Sequence, residues 1–198
     1  PRLFGIKTVV TLHGQDWQRA KWGLFAKMVL RLGEKIGVEL SDKSISVSKK
    51  IIKYYPGKNI IHLPNGITID NEKLDNSILK KFNLDEYILY LGRIVPEKGI
   101  DLLIKAYLKS NLKEKLVIVG SASHTDKYLS KLKNIASVNK NIIFTGSLYG
   151  PEKKSIIKQS KLFVLPSYLE GMPIVLLEMM SNSIPCLVSD IPEIREVV

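Results

Sequence analysis

A short segment of the chain holds two cations next to glycine, a combination suited to binding a diphosphate. Gly92-Arg93 is followed five residues later by Lys98 and then by Gly99. Arginine offers a planar fork of N–H donors and lysine a mobile positive charge, so the two together can neutralise a diphosphate. An isolated pair of this kind in a lysine-rich chain can equally be two solvated surface cations. The residues alone leave both interpretations open.

A second segment places two carboxylates around a predicted helix start. Glu170, Gly171, Met172 and Pro173 precede an apolar stretch that contains Glu178. Proline suits the first turn of a helix, and glycine permits a sharp approach before it. The free N–H groups and the positive end of the helix dipole form a site for a phosphate. The carboxylates cannot bind the phosphate, but they can accept hydrogen bonds from sugar or ribose hydroxyls.

Glu178 itself carries the stronger signal of the two carboxylates. Its neighbours in the helical stretch are all apolar: Val175, Leu176, Leu177, Met179 and Met180. A solvated helix surface is therefore not expected there, and a buried charge without a partner is costly. The pattern predicts a functional role for Glu178.

The elements that position these residues follow a β/α order. Short β-branched runs predict strands at residues 8–12, 44–48, 59–63, 87–91, 116–119, 142–144, 162–165 and 186–188, with helical segments between them. This alternation predicts an α/β protein with parallel sheets covered on both faces. The loop at 92–99 and the segment at 166–173 both follow strands, where ligands of parallel sheets gather. A polar connection near residues 70–85 predicts the boundary between two α/β domains.

Composition and charge narrow the classes of partner. The chain has 198 residues and a formal net charge of +11, concentrated in the first 70 residues. Such a field favours phosphates, nucleic acid or an anionic membrane surface. No apolar run approaches the roughly 20 residues of a membrane-spanning helix, and no signal-peptide pattern is present, so we expect a cytoplasmic protein that is at most peripheral to the membrane. Cys186 lies in an apolar run and is expected to be a buried structural thiol.

The segment at residues 19–36 has two interpretations. Its apolar residues recur at helical spacing, which predicts packing against the core; they are Leu24, Phe25, Met28, Leu32 and Ile36. In the alternative, its basic residues and Trp17 or Trp22 face an anionic membrane that carries a lipid-linked acceptor.

Taken together, these motifs resemble the donor site of the retaining, two-domain GT-B glycosyltransferases of family 4. The resemblance is carried by Gly92-Arg93, by Glu97-Lys98-Gly99, by residues 170–173 and by Glu178. Residues 61–67 resemble the strand and turn near the family's interdomain crossover. The resemblance implies two Rossmann-like domains: residues 1–75, the C-terminal part of the acceptor domain, and residues 76–198, an incomplete donor domain. We therefore expect a piece of a longer protein.

The resemblance also implies roles for the candidate residues. Arg93 and Lys98, with Gly92, would bind the donor diphosphate, Glu170 the hydroxyls of the transferred sugar, and Glu178 the ribose. The backbone at Gly171 and Met172, next to Pro173, would help to bind sugar and phosphate. His13, at the carboxyl end of the first strand, is by itself more often structural, but family members with His-Gly at this position use it against the donor sugar and phosphate. The family needs no metal or other cofactor, and the chain contains no Asp-x-Asp pair.

The implied function is transfer of a sugar from a nucleoside-diphosphate sugar to a saccharide or lipid-linked saccharide, with retention of configuration. Residues 15–23 resemble a subgroup that acts in bacterial rhamnosyl transfer for surface polysaccharides. Alternatives are a donor-binding fragment without turnover and a nucleotide-sugar epimerase of similar fold. A dinucleotide-dependent oxidoreductase is disfavoured because no Gly-x-Gly-x-x-Gly follows a strand, and a nucleic-acid-binding module because no recognition motif is present.

Overall fold

The computed structural model describes residues 4–19, 22–68 and 73–198, and the chain divides into two compact units. Unit 1 consists of Pro1–Gly66, Leu169–Pro173 and Asp190–Val198. Unit 2 consists of Ile67–Tyr168 and Ile174–Ser189. Each unit contains its own parallel sheet. The α/β fold class predicted from the alternation of strands and helices is therefore confirmed.

Unit 1 is built on a three-stranded parallel sheet. Its strands lie in the order β1 (Val9–Leu12), β2 (Lys43–Ser46) and β3 (Ile60–His62). Its helices are α1 (Leu24–Leu40), α2 (Lys49–Ile52) and α8 (Pro192–Arg195). A small apolar core joins the sheet to α1 and α2; it consists of Leu12, Val38, Ile51 and Ile60.

Polar contacts attach the last residues of the chain to unit 1. The Glu196 carboxylate accepts hydrogen bonds from the backbone N–H groups of Lys49 and Lys50, at 2.8 and 3.1 Å. These N–H groups belong to the first turn of α2, where a negative charge is favourable. The Lys50 ammonium also pairs with the buried Glu193 carboxylate at 2.6 Å.

The apolar stripe of α1 does not pack into a core, and the sequence-based expectation of core packing was wrong. Leu24 and Phe25 are 90% and 75% exposed, and Met28, Leu32 and Ile36 are exposed as well. The reason is geometric. Val38 is the one buried residue of α1, so the helix reaches the apolar core of unit 1 near its C-terminal end only.

Unit 2 is built on a five-stranded parallel sheet in the order β6-β5-β4-β7-β8. The strands are β4 (Tyr87–Leu91), β5 (Lys115–Val119), β6 (Ile142–Gly146), β7 (Leu162–Leu165) and β8 (Cys186–Val188). The helices are α3 (Ser77–Lys81), α4 (Ile100–Lys109), α5 (Asp126–Ala136), α6 (Gly150–Lys158) and α7 (Ile174–Ser181). All five residues of β4 are buried, which is why the central strand is an unbroken apolar run.

Helices cover both faces of this sheet. On one face, α4 and α5 contribute Ile104 and Leu132 to a core that includes Tyr90. On the other face, the Tyr87 hydroxyl donates a hydrogen bond to the backbone oxygen of Ile156 in α6, at 2.9 Å. The polar connection expected near residues 70–85 contains the helix α3. This helix has only five residues, too few to show a helical period in the sequence.

Two glycines allow backbone segments at the carboxyl edge of this sheet to touch. A Cβ atom at Gly120 would lie 1.9 Å from the backbone oxygen of Gly92, and φ of Gly120 is +145°. A Cβ atom at Gly99 would lie 2.2 Å from the backbone oxygen of Pro166, and φ of Gly99 is +63°. No side chain larger than hydrogen fits at either position without moving the backbone.

We expect Gly120→Ala to lower the free energy of unfolding of the chain by about 2 kcal/mol or more, because it combines an unfavourable φ with a backbone clash. Urea denaturation followed by circular dichroism measures the change. Gly146→Ala is the matched control, since φ of Gly146 is +80° but no atom lies within 4 Å of its added Cβ. Equal losses in the two variants would show that the contact with Gly92 is not what requires glycine.

Candidate functional site

Unit 2 contains a cavity of about 390 Å³ at the carboxyl ends of its strands. Its apolar walls come from β4, β5 and the first turn of α7, and its polar groups come from the loops after β4, β5 and β6 and from α6 and α7. The lining residues that carry polar or aromatic side chains are Arg93, Ser121, Ser147, Tyr149, Lys153 and Glu178. This volume lies within the roughly 300–1,000 Å³ typical of small-molecule sites.

The position of the cavity follows from the topology of the sheet. From β4 the chain moves outward through β5 to β6, and it then returns to the other side of β4 to form β7 and β8. The connections from β4 and from β7 therefore leave the sheet in opposite directions, which opens a crevice at its carboxyl edge. Strand order alone thus places a ligand site beside Gly92 and the start of α7.

Hydrogen bonds from side chains hold the backbone of the loop after β4, and the Arg93 side chain of this loop is exposed to solvent. The Tyr90 hydroxyl donates to the backbone oxygen of Arg93 at 2.9 Å, and the Thr125 hydroxyl donates to that of Ile94 at 2.6 Å. The Arg93 side chain is exposed and lines the cavity. Lys98 lies in the same loop and is half-buried, but it does not belong to the cavity lining. A fixed loop with an exposed guanidinium can bind an anion at small entropic cost.

The loops after β4 and β7 are joined directly. The backbone N–H of Tyr168 donates to the backbone oxygen of Glu97 at 2.8 Å. Together with the close approach of Gly99 to Pro166, this bond fixes the segment that carries Lys98.

Glu178 has a specific partner, as its apolar sequence neighbourhood requires. The Lys153 ammonium lies 2.7 Å from Oε1 of Glu178, and the two side chains are 32% and 26% exposed. In the described part of the chain no other side chain forms a hydrogen bond or ion pair with the Glu178 carboxylate, so Oε2 can accept hydrogen bonds from a ligand. The pair places a carboxylate of fixed orientation on the cavity wall.

The remaining predicted residues lie together in unit 1. A Cβ atom at Gly171 would lie 1.9 Å from the backbone oxygen of His13, so glycine is required there by close packing. Asn65 fixes the next residue: its backbone N–H donates to Sδ of Met172 at 3.1 Å, and its Nδ2 donates to the Met172 backbone oxygen at 3.2 Å. Glu170 is half-buried, Pro173 is buried and His13 is exposed.

The structure therefore sorts the candidate residues into two groups. Gly92, Arg93 and Glu178 line one cavity of unit 2, and Lys98 lies in the loop beside it. His13 and residues 170–173 belong to unit 1. The roles predicted for them remain predictions.

Some residues of the cavity were missed from the sequence. Ser121 lies two residues after the end of β5 and Ser147 directly follows β6, so the rule that led to Arg93 could have found them. Tyr149 begins the turn into α6 and is exposed. Lys153 could not have been found, because only the folded chain shows that it meets Glu178.

Within residues 4–19, 22–68 and 73–198, no group of three His, Cys, Asp or Glu side chains is placed to hold a metal ion. None of the helices in these ranges is long and apolar enough to cross a membrane.

Cys186 is half-buried in β8, and burial raises the pKa of its thiol. A raised pKa leaves less thiolate at a given pH, and the thiolate is the reactive form. We expect the folded chain to react with Ellman's reagent at pH 8 more slowly than free cysteine, whose pKa is about 8.5. The rate should keep rising above the pH at which free cysteine levels off. Unfolding in urea should restore the rate of a free thiol; a folded-state midpoint at or below that of free cysteine would contradict the assignment.

Most of the chain matches a known protein family. Residues 71–198 match the family model described as "Glycosyl transferases group 1". This match covers most of unit 2, including the cavity.

Curated relatives extend the similarity over nearly the whole chain. A putative teichuronic acid biosynthesis glycosyltransferase of Bacillus subtilis, TuaC, is 29% identical over 197 residues, which cover 94% of this chain and 47% of that protein. An Escherichia coli UDP-Gal:alpha-D-GlcNAc-diphosphoundecaprenol alpha-1,3-galactosyltransferase is 31% identical over 217 residues, which cover 96% of this chain and 53% of that protein. The chain thus spans about half the length of these relatives.

Among solved structures, Anabaena Alr3699/HepE in complex with UDP and glucose superimposes with a TM-score of 0.79 at 18% identity. The superposition covers 97% of this chain and 55% of that protein. At this identity the likeness supports the fold alone.

Proposed function

Because the chain belongs to the glycosyl transferases group 1 family, we propose that it forms the donor-binding part of an enzyme that moves a sugar from a nucleoside-diphosphate sugar to a saccharide acceptor. The observation that carries the proposal is the cavity of unit 2. The Arg93 guanidinium and the Glu178–Lys153 pair line this one cavity, in the crevice at the carboxyl edge of the sheet. A nucleoside diphosphate has a negatively charged diphosphate, which a cation can bind, and a ribose with two hydroxyls, which a carboxylate can bind.

In this proposal the leaving diphosphate is neutralised by the protein. Arg93, with Lys98 from the same loop, stabilises the negative charge that develops as the bond from sugar to phosphate breaks. Glu178 accepts hydrogen bonds from the ribose hydroxyls through Oε2, while Lys153 holds Oε1. The apolar walls and the exposed Tyr149 ring provide surface for the nucleobase.

The residues of unit 1 take the transferred sugar in the same proposal. Glu170 would accept hydrogen bonds from sugar hydroxyls, and the Gly171 and Met172 backbone would contribute N–H donors. His13 would contact sugar and phosphate. Residues 1–75 would then contribute to the acceptor side and residues 76–198 to the donor side.

The finer features of the proposal are retention of configuration, independence of metal ions, and an acceptor in surface polysaccharide synthesis. The E. coli relative is named for a diphosphoundecaprenol-linked sugar, which supports a lipid-linked acceptor. The B. subtilis relative is named as a putative teichuronic acid biosynthesis glycosyltransferase, which supports a role in polysaccharide synthesis. UDP and UDP-sugars are the first donors to test, since Alr3699/HepE binds UDP.

We expect Glu178→Ala to weaken UDP binding by about 10-fold or more, because hydrogen bonds to a charged group contribute about 1.5–3 kcal/mol. Isothermal titration calorimetry with UDP measures the effect. Titration with inorganic diphosphate is the control, because diphosphate lacks the ribose that Glu178 binds. UDP affinity that does not change in the variant would refute the ribose assignment.

We expect Lys153→Met to weaken UDP binding less than Glu178→Ala does, by about 3-fold, because the carboxylate remains but loses its fixed orientation. Lys158→Met is the matched control: it removes the same charge from an exposed position of α6. Equal effects of the two lysine variants would show that general charge, rather than the pair with Glu178, controls UDP affinity.

Turnover is tested with UDP-sugars and a lipid-linked saccharide, by release of UDP in the presence and absence of a chelator. UDP binding without release of UDP under any of these conditions would mean that the chain binds the donor but does not turn it over.

A further inference from the structure

Unit 1 contains a second site candidate, a pair of hollows beside α1 that the donor cavity does not include. The smaller, of about 170 Å³, is lined by Gln15, Trp17, Arg31, Lys35, Tyr54 and Tyr55. The larger, of about 460 Å³, is lined by Trp17, Lys27, Met28, Arg31, Leu32 and Lys35. Trp17, Arg31 and Lys35 line both hollows, which are therefore adjacent, and the two are together called the α1 site.

The α1 site is strongly cationic. Lys27, Arg31 and Lys35 recur every fourth residue and therefore lie on one side of α1. Among the described residues, none of the three has a carboxylate within 4 Å. Like charges at this spacing destabilise a helix by a few tenths of a kcal/mol per pair. A ligand of opposite charge would relieve that repulsion.

Two buried hydrogen-bond donors of the α1 site have no partner among the residues that the structure describes. Gln15 is 7% exposed, and its Nε2 has no acceptor, although its Oε1 accepts a hydrogen bond from Gln18 Nε2 at 2.6 Å. The indole Nε1 of Trp17 is also buried and unpaired. Buried polar groups without partners are rare in native proteins, and each leaves a donor to be satisfied.

The aromatic rings hold these groups in place. The Arg31 guanidinium lies over the Trp17 ring, with Cζ 5.1 Å from the ring centroid, and the Tyr54 ring meets Trp17 edge-on at 5.9 Å. The Glu34 carboxylate accepts a hydrogen bond from the hydroxyl of Tyr55, which lines the smaller hollow. Burial and then Glu34 raise the pKa of that hydroxyl, so it stays protonated and keeps the carboxylate occupied.

The side of the site along α1 is apolar. Met28 and Leu32 line the larger hollow, and the exposed Leu24 and Phe25 continue the apolar surface toward the start of the helix. A simple inorganic anion would leave this surface in water. An anion attached to an apolar chain would cover it.

We propose that the α1 site binds a phosphate or diphosphate group carried on an apolar chain. Arg31 and Lys35 neutralise the anion, Gln15 Nε2 and Trp17 Nε1 donate to its oxygens, and the chain lies along Met28 and Leu32. As a site for a lipid-linked acceptor it rests on the proposed function; as an anion site it stands on its own geometry. Either a lipid-linked diphosphate or a membrane phospholipid headgroup presents this chemistry.

The two tryptophans of the chain make the site measurable, since Trp17 and Trp22 both lie in unit 1. In a Trp22→Phe background, fluorescence reports on Trp17 alone. We expect geranyl diphosphate to change this fluorescence and inorganic diphosphate to bind about 10-fold or more weakly, because it lacks the apolar chain. A second experiment compares vesicles of phosphatidylglycerol and phosphatidylcholine with vesicles of pure phosphatidylcholine. Binding to the anionic vesicles in preference to geranyl diphosphate would show that the anion is a phospholipid headgroup.

Arg31→Gln and, independently, Lys35→Gln are expected to weaken geranyl diphosphate binding by about 10-fold. Lys53→Gln is the matched control, because Lys53 is an exposed cation of unit 1 that does not line the α1 site, and it should leave binding unchanged. Far-UV circular dichroism checks that each variant is folded. Arg93→Ala should weaken UDP binding and spare geranyl diphosphate.

Three results would overturn the proposal. The first is unchanged geranyl diphosphate affinity in both Arg31→Gln and Lys35→Gln, and the second is an equal loss of affinity in Lys53→Gln. The third is loss of geranyl diphosphate binding in Arg93→Ala, which would place the ligand in the donor cavity. Failure of UDP to bind while geranyl diphosphate still binds would refute the proposed function and leave the α1 site standing.

Discussion

Close contact between backbone segments at the carboxyl edge of the unit 2 sheet is the constraint on which the rest of the donor cavity depends. Gly120 packs on the backbone oxygen of Gly92, and Gly99 packs on that of Pro166. Because the backbones touch, the loops after β4, β5 and β7 have fixed relative positions. The Arg93 side chain can then be exposed while its backbone is held in place. A preorganised anion site requires such a fixed position of its cation.

Charge is distributed differently in the two units. The donor cavity balances a cation at Arg93 with a carboxylate whose own partner is Lys153, so it can recognise both an anion and a hydroxyl pair. In the described part of the chain, the α1 site has cations and two unpaired donors, while the Glu34 carboxylate accepts a hydrogen bond from Tyr55. A site of the second kind can bind an anion but has little with which to orient a sugar.

The apolar stripe of α1 was expected to pack into a core and is exposed, which shows what helical periodicity in a sequence cannot predict. Apolar residues at helical spacing predicted a helix, and α1 exists. The same spacing cannot tell which surface the stripe meets, because burial depends on what other segments of the folded chain lie opposite. Leu24 and Phe25 meet none in the described part of unit 1 and are exposed.

The sequence by itself determined the alternation of strands and helices except for α3, the parallel sheets, the loop position of Arg93 and the helical position of Glu178, because these follow from local patterns of apolar residues, glycine and proline. It also required that Glu178 have a partner, since a charge in an apolar helix cannot stay unpaired. Only the tertiary structure decided that the partner is Lys153, that Gly171 packs on His13, and that Gln15 and Trp17 face a cationic hollow. Those facts join residues far apart in the chain, and no local pattern encodes which distant side chain will arrive at a given place.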